Sequence, residues 1–176
     1  MKKPLTLVIL SSALTLLSSP AAVAQDAGSV TFATGSVTAE REPPVELAKG
    51  DTVLVADSIV TGDAARAQLL MIDGARVAIR PNSRLVVAEY AYTPPATPGT
   101  PAVATSDDAS SVLNLVKGGF RTITGAIGKE DPAAYEVRTA VGVLGIRGTD
   151  YSAQLCRGDC DWAPGVAAGA AIPDGL

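Results

Sequence analysis

From Val30 to about Tyr92 the chain never runs more than a few residues without a turn signal, so there is no room in that stretch for a long helix. The turn Ala48-Lys49-Gly50-Asp51 feeds an apolar run over 52–55, and Thr61-Gly62-Asp63 separates a run over 58–60 from another over 66–72. Asp73-Gly74 follows at once. Asp-Gly between two β-favouring runs predicts a tight hairpin with a type I′ turn, whose twist matches that of the strands it joins. The partner strand covers 76–80, where Val77 and Ile79 share one face while Arg76, Ala78 and Arg80 share the other. Pro81-Asn82-Ser83 then turns the chain into a further strand over 84–90.

Beyond Tyr92 the character changes. Residues 93–109 are rich in Pro, Thr and Ala and close on Asp107-Asp108, which predicts a long, partly extended insertion inside one domain, prone to proteolysis. Strand patterning resumes over 111–116, turns at Lys117-Gly118-Gly119 and returns over 120–124. A short helix is expected around 130–134, with Pro132 at an early helical position. Alternation over 135–139 puts Tyr135, Val137 and Thr139 on one face. The Ala- and Gly-rich tail over 161–176 has no strand pattern of its own and is expected to drape loosely. Trp162, the only tryptophan, is expected to pack on the domain surface or mark a contact.

Composition narrows function mostly by exclusion. The 176 residues suit one domain. With 14 basic against 18 acidic residues the net charge is −4, which disfavours general nucleic-acid binding. There is no histidine, so Ser-His-Asp and Cys-His catalysis, imidazole zinc sites and imidazole pH sensing are all excluded. Aromatics are 4% of the chain, which leaves the core to Val, Ile, Leu and Ala. Residues 1–24 have the order of a helical signal peptide, with Lys2 and Lys3, an apolar run over 5–17, then small residues, and cleavage is expected after Ala24. The apolar run is short for a bilayer span and no cysteine lies near the cleavage site, so the mature chain is expected to be periplasmic or secreted, without a transmembrane or lipid anchor.

Cys156 and Cys160 are the only cysteines, and in an oxidising compartment they are expected to close a disulfide. The loop they would enclose is Arg157-Gly158-Asp159, which resembles an integrin-binding tripeptide, although three common turn residues need no such partner.

Taken in order, Gly35-Ser36-Val37, Gly50-Asp51, Ile59-Val60-Thr61-Gly62, Ala65-Arg66-Ala67, Asp73-Gly74, Pro81-Asn82-Ser83-Arg84-Leu85, Lys117-Gly118, Thr139-Ala140 and the run from Val143 through Gly145, Arg147, Gly148 and Thr149 to Tyr151 resemble the FecR domain family. The resemblance implies an all-β, turn-rich domain over about 30–155, with a twisted β-solenoid or sandwich-like architecture. Sensor members of the family add a sigma-factor-binding cytoplasmic segment and a transmembrane helix. This chain is expected to act without them, and hence not to regulate transcription by itself. Relatives also continue past the Gly-x-Arg-Gly-Thr motif with further strands, so the end at Asp174-Gly175-Leu176 reads as a C-terminal truncation that would leave strand edges unpaired.

Several groups of residues invite chemistry. Arg147, between Gly145 and Gly148, is expected to be a partly buried structural residue paired with Asp51, Asp73 or Asp150. Arg66, Arg76, Arg80 and Arg84 form a candidate basic face, either simply solvated or binding an anionic ligand such as a polysaccharide or siderophore complex. Asp51, Asp57, Asp63 and Asp73 lack EF-hand spacing and read as turn residues rather than calcium ligands. No catalytic residue, metal site or cofactor is nominated. The expected function is therefore a non-enzymatic recognition module whose partner is an envelope protein or an anionic ligand. A passive structural or assembly module of the envelope is the alternative, followed by a carboxylate-based hydrolase.

Overall fold

In the computed structural model, which describes residues 24–94, 109–146 and 149–155, the alternating runs become two sheets. The six-stranded sheet contains β1 (Asp26–Thr34), β4 (Thr52–Leu54), β6 (Arg66–Met71), β7 (Arg76–Ile79), β10 (Gly119–Ile123) and β13 (Asp150–Gln154), in the order β13-β10-β7-β6-β1-β4. The seven-stranded sheet contains β2 (Val37–Ala39), β3 (Val45–Glu46), β5 (Ser58–Thr61), β8 (Arg84–Ala91), β9 (Ser110–Lys117), β11 (Tyr135–Thr139) and β12 (Gly142–Gly145), in the order β12-β11-β9-β8-β5-β2-β3. Every pairing is antiparallel except that of β9 with β11, which is parallel. The mostly extended fold expected from the turn spacing is what forms.

The chain does not finish one sheet before starting the other. It leaves the six-stranded sheet after β1, returns for β4, leaves for β5, returns for β6 and β7, and repeats the exchange through β8 to β13. One buried apolar cluster draws on both sheets, with Val30, Leu69, Val77, Ile79 and Phe120 from one and Val37, Ile59, Leu85, Val87, Leu113, Leu115 and Val137 from the other. Each such side chain contributes about 1.5–3 kcal/mol on burial, so this shared cluster is the main stabilising element.

Turn chemistry sets where the chain changes sheet. Gly118 joins β9 to β10 at φ +71°, and a Cβ there would lie 2.3 Å from Ser83 Oγ, so only glycine fits. Asn82, at φ +54°, carries the chain from β7 across to β8, as the Pro81-Asn82-Ser83 signal predicted.

Two local expectations need correction. The Asp73-Gly74 hairpin forms, but not as a two-residue type I′ turn. Only Gly74 has positive φ (+83°), and the connection runs from Ile72 to Ala75, closed by Met71 N–H donating to Ala75 O at 2.9 Å. The reason is that the Asp73 side chain turns inward: its carboxylate accepts from Ala75 N–H at 3.0 Å, Tyr90 O–H at 2.6 Å and Ile127 N–H at 3.3 Å. The helix expected around 130–134 forms in part, with Pro132 at the start of a 3-10 turn, and an α-helix that was not expected lies just before it. Helix α1 covers Ala126–Glu130, and Pro132–Ala134 form a separate 3-10 turn capped by Asp131. Contact with Asp73 sets the start of α1, which proline placement alone could not reveal.

Cys156, Cys160, Arg157, Gly158, Asp159, Trp162 and the tail lie outside the described residues, as do Arg147, Gly148 and most of the 93–109 insertion. Its flanking strands β8 and β9 pair along their length, from Arg84 opposite Lys117 to Ala91 opposite Ser110.

Candidate functional site

The period-2 pattern of β6 and β7 buries Ala67, Leu69, Met71, Val77 and Ile79, and so forces Arg66, Gln68, Leu70, Arg76 and Ala78 onto the outer face of the six-stranded sheet. Arg80 follows β7 and is exposed, and its N–H donates to Gly119 O at 2.9 Å. Strand β10 adds Arg121, opposite Ala78, and Ile123, opposite Arg76. Strand β1 adds Phe32, opposite Gln68. Three of the four arginines singled out from the sequence therefore share one face. The fourth does not.

Arg84 lies in the seven-stranded sheet, where its guanidinium donates to Glu40 at 2.5 Å. Alternation gives the side of a strand but not the sheet it joins, and the turn at 81–83 sends β8 to the other sheet. Conversely, two residues of the face were missed. Strict alternation from the buried Val30 would send Phe32 inward, but the register of β1 shifts between Val30 and Phe32, which leaves the ring 49% exposed. Arg121 was missed because β10 meets β7 from far along the chain, a pairing no local signal announces.

Arg66, Arg80 and Arg121 line an open depression of about 430 Å³ together with Phe32, Gln68, Ala78 and Pro81. Ala78 is short, which lowers the floor between the longer side chains. Arg121 is held by Asp150, with Nε donating to Oδ1 at 2.9 Å and Nη2 to Oδ2 at 2.5 Å. These hydrogen bonds hold the Asp150 carboxyl below its ordinary range and raise the Arg121 guanidinium above its own. Arg66 and Arg76 make no ion pair or side-chain hydrogen bond among the described residues. Further along the same face Leu70, Ile72 and Ile123 are exposed, so the arginine-lined end passes into an apolar end.

The remaining candidates fall elsewhere. Gly145 closes β12, an edge strand whose Val143 and Leu144 are exposed, and the Thr149 carbonyl accepts from Thr124 N–H at 2.8 Å. Of the carboxylates named as partners for Arg147, Asp150 holds Arg121, Asp51 accepts from Ala48 N–H at 2.8 Å, and Asp73 holds the contacts described above. Asp57, 4% exposed, receives a two-pronged contact from Arg41 at 2.8 and 2.6 Å and a third bond from Leu54 N–H at 2.7 Å. No sequence motif announced that pair.

Where the sheets face each other, Tyr90 donates to Asp73, and Tyr151 O–H donates to Tyr135 Oη at 2.8 Å. Burial pushes the phenols of Tyr90, Tyr135 and Tyr151 above their ordinary range, and the Asp73 carboxylate adds to the effect at Tyr90. Among the described residues no group of His, Cys, Asp and Glu is arranged to hold a metal ion, and no helix is long and apolar enough to cross a membrane. A family model described as FecR protein matches residues 57–171, while no curated protein and no solved structure matches the chain significantly.

Proposed function

The chain belongs to the FecR family, and from that premise we propose that it is an exported, non-enzymatic recognition module of the cell envelope whose contact face is the outer face of the six-stranded sheet. The observation that carries the reading is the concentration of Arg66, Arg76, Arg80 and Arg121 with Phe32, Leu70, Ile72 and Ile123 on one sheet of a chain whose net charge is −4. Arginine and aromatic residues beside exposed aliphatics are the composition of a contact surface, whereas a purely solvated face has no use for the aliphatics. Cleavage after Ala24 would free the domain just ahead of β1. The alternation of the chain between sheets fits a solenoid-like sandwich, a rigid scaffold on which the face keeps its shape.

A photo-crosslinking residue placed at Gln68, compared in cells with one at Val86 on the opposite sheet, tests the assignment. A discrete adduct from Gln68 alone is expected. Equal labelling from both positions, or none from either, overturns it.

A further inference from the structure

Among the described residues the two sheets end in four edge strands, β3, β4, β12 and β13, and three of these are guarded. Strand β3 is two residues long, follows Pro43-Pro44 and carries Glu46. The Thr52 carbonyl of β4 accepts from Arg41 Nη2 at 2.9 Å. Strand β13 carries Asp150, which holds Arg121. Charge, proline and brevity are the usual defences against edge-to-edge pairing, and β12 has none of the first two. It reads Gly142-Val143-Leu144-Gly145, with Val143 62% and Leu144 43% exposed. The fold itself does not demand either glycine: neither has positive φ, and a Cβ on either would meet nothing within 4 Å. Glycine inside a strand marks a place where another backbone can come close.

The β11–β12 hairpin fixes which groups of β12 face outward. Thr139 lies opposite Gly142 and Val137 opposite Leu144, on either side of the two-residue turn Ala140-Val141. Those pairs exchange backbone hydrogen bonds, so by alternation Val143 and Gly145 turn their N–H and C=O groups away from β11. We propose that β12 pairs with β12 of a second copy of this chain, antiparallel about a two-fold axis at Leu144. That register sets Val143 of each copy opposite Gly145 of the other, so every outward group of both residues is used, and Leu144 meets its own counterpart. Val143 packs over the space that the facing glycine leaves open. Leu144 is on the same face as the buried Val137, so the apolar contact continues from one core to the other. Electrostatics favour self-pairing at this edge even in a chain of net charge −4, because Glu136 and Arg138, which face β12, already neutralise each other at 2.9 Å. In an antiparallel two-fold pair equivalent faces of the two sheets point the same way, so both arginine faces turn to one side.

The test is sedimentation velocity of the full chain over a range of concentrations. One strand pair buries less than the roughly 1,200 Å² of lasting complexes, so a reversible monomer–dimer equilibrium is expected. Leu144→Lys and Leu144→Glu each set like charges directly across the axis and are expected to weaken dimerisation about tenfold, while an equal mixture of the two variants recovers it, because lysine then faces glutamate. Gly145→Pro removes an outward N–H, leaves the bonds to β11 in place, and is expected to abolish the dimer at an unchanged melting temperature, which keeps the test intact should the Leu144 variants melt lower. Arg66→Gln on the other sheet is expected to change nothing. A monomer at every concentration overturns the proposal and gives β12 to another occupant, either segment 156–176 of the same chain or a strand of a different protein. A dimer indifferent to Gly145→Pro overturns the assignment to this edge, and folded Leu144 variants that fail to recover on mixing overturn the two-fold register. The Gln68 crosslink reports on the other sheet and is independent of each of these results.

Discussion

The outer faces of the two sheets differ in how much of their arginine is paired within the fold. On the seven-stranded sheet Arg84 is joined to Glu40 and Arg138 to Glu136, and in the loops beside it Arg41 is locked onto the nearly buried Asp57. On the six-stranded sheet Arg121 is paired with Asp150, but Arg66 and Arg76 have no such partners among the described residues, and apolar side chains stand exposed between them. Charge that is satisfied within the fold contributes to holding it, whereas charge left open remains available to something else. On the proposed reading, the difference separates a scaffold side from a contact side in a molecule whose strands look alike in sequence.

If the contact side is spare for stability, the fold must be held from within and from the scaffold side, and that can be measured. The largest effect is expected from the tyrosines between the sheets. Tyr90 and Tyr135 have raised folded-state pKa values. The native state therefore keeps protons that the unfolded chain releases above pH 10, and stability falls as pH rises. Each such tyrosine gives a slope of about 1.4 kcal/mol per pH unit there. Phenolate absorbance should then rise in step with unfolding in an alkaline titration. A gradual rise larger than the partly exposed Tyr92 can supply, with the fold intact, would contradict the buried placement.

Next in size is Arg41→Ala, which strips Asp57 of its guanidinium. A loss of about 2 kcal/mol is expected in urea denaturation, below the full value of a buried pair because Arg41 is 27% exposed. Arg84→Ala breaks an exposed pair and should cost no more than about 1 kcal/mol. Arg66→Ala and Arg76→Ala close the series, with a change within about 0.5 kcal/mol. A cost for Arg66→Ala as large as that for Arg41→Ala would erase the distinction between the two sides.

How much of this could be read from the sequence depends on the range of the signal. The alternation in 76–80 gave the facing of Val77, Ile79, Arg76 and Arg80, because side-chain direction in a strand is set by its neighbours along the chain. The glycine at 118 and the turn at 81–83 were legible for the same reason. Assignment of a strand to a sheet is not local, and so Arg84 was grouped with residues it never joins. Phe32 was concealed by a single register shift, Arg121 by a distant pairing, and the start of α1 by a carboxylate some fifty residues earlier in the chain. The family resemblance rested on ordered short motifs over 35–151, and the matched region 57–171 contains the run from Val143 to Tyr151 that carried most of it.

The back-and-forth path of the backbone has a kinetic consequence. Because β1 waits for β4 and β6, and β7 waits for β10, neither sheet can be completed until most of the polypeptide has emerged, and any fragment would have open edges in both. Assembly of this kind is dominated by encounters between remote segments, which slows folding. A cut at almost any turn between the described strands would part neighbours in both sheets at once.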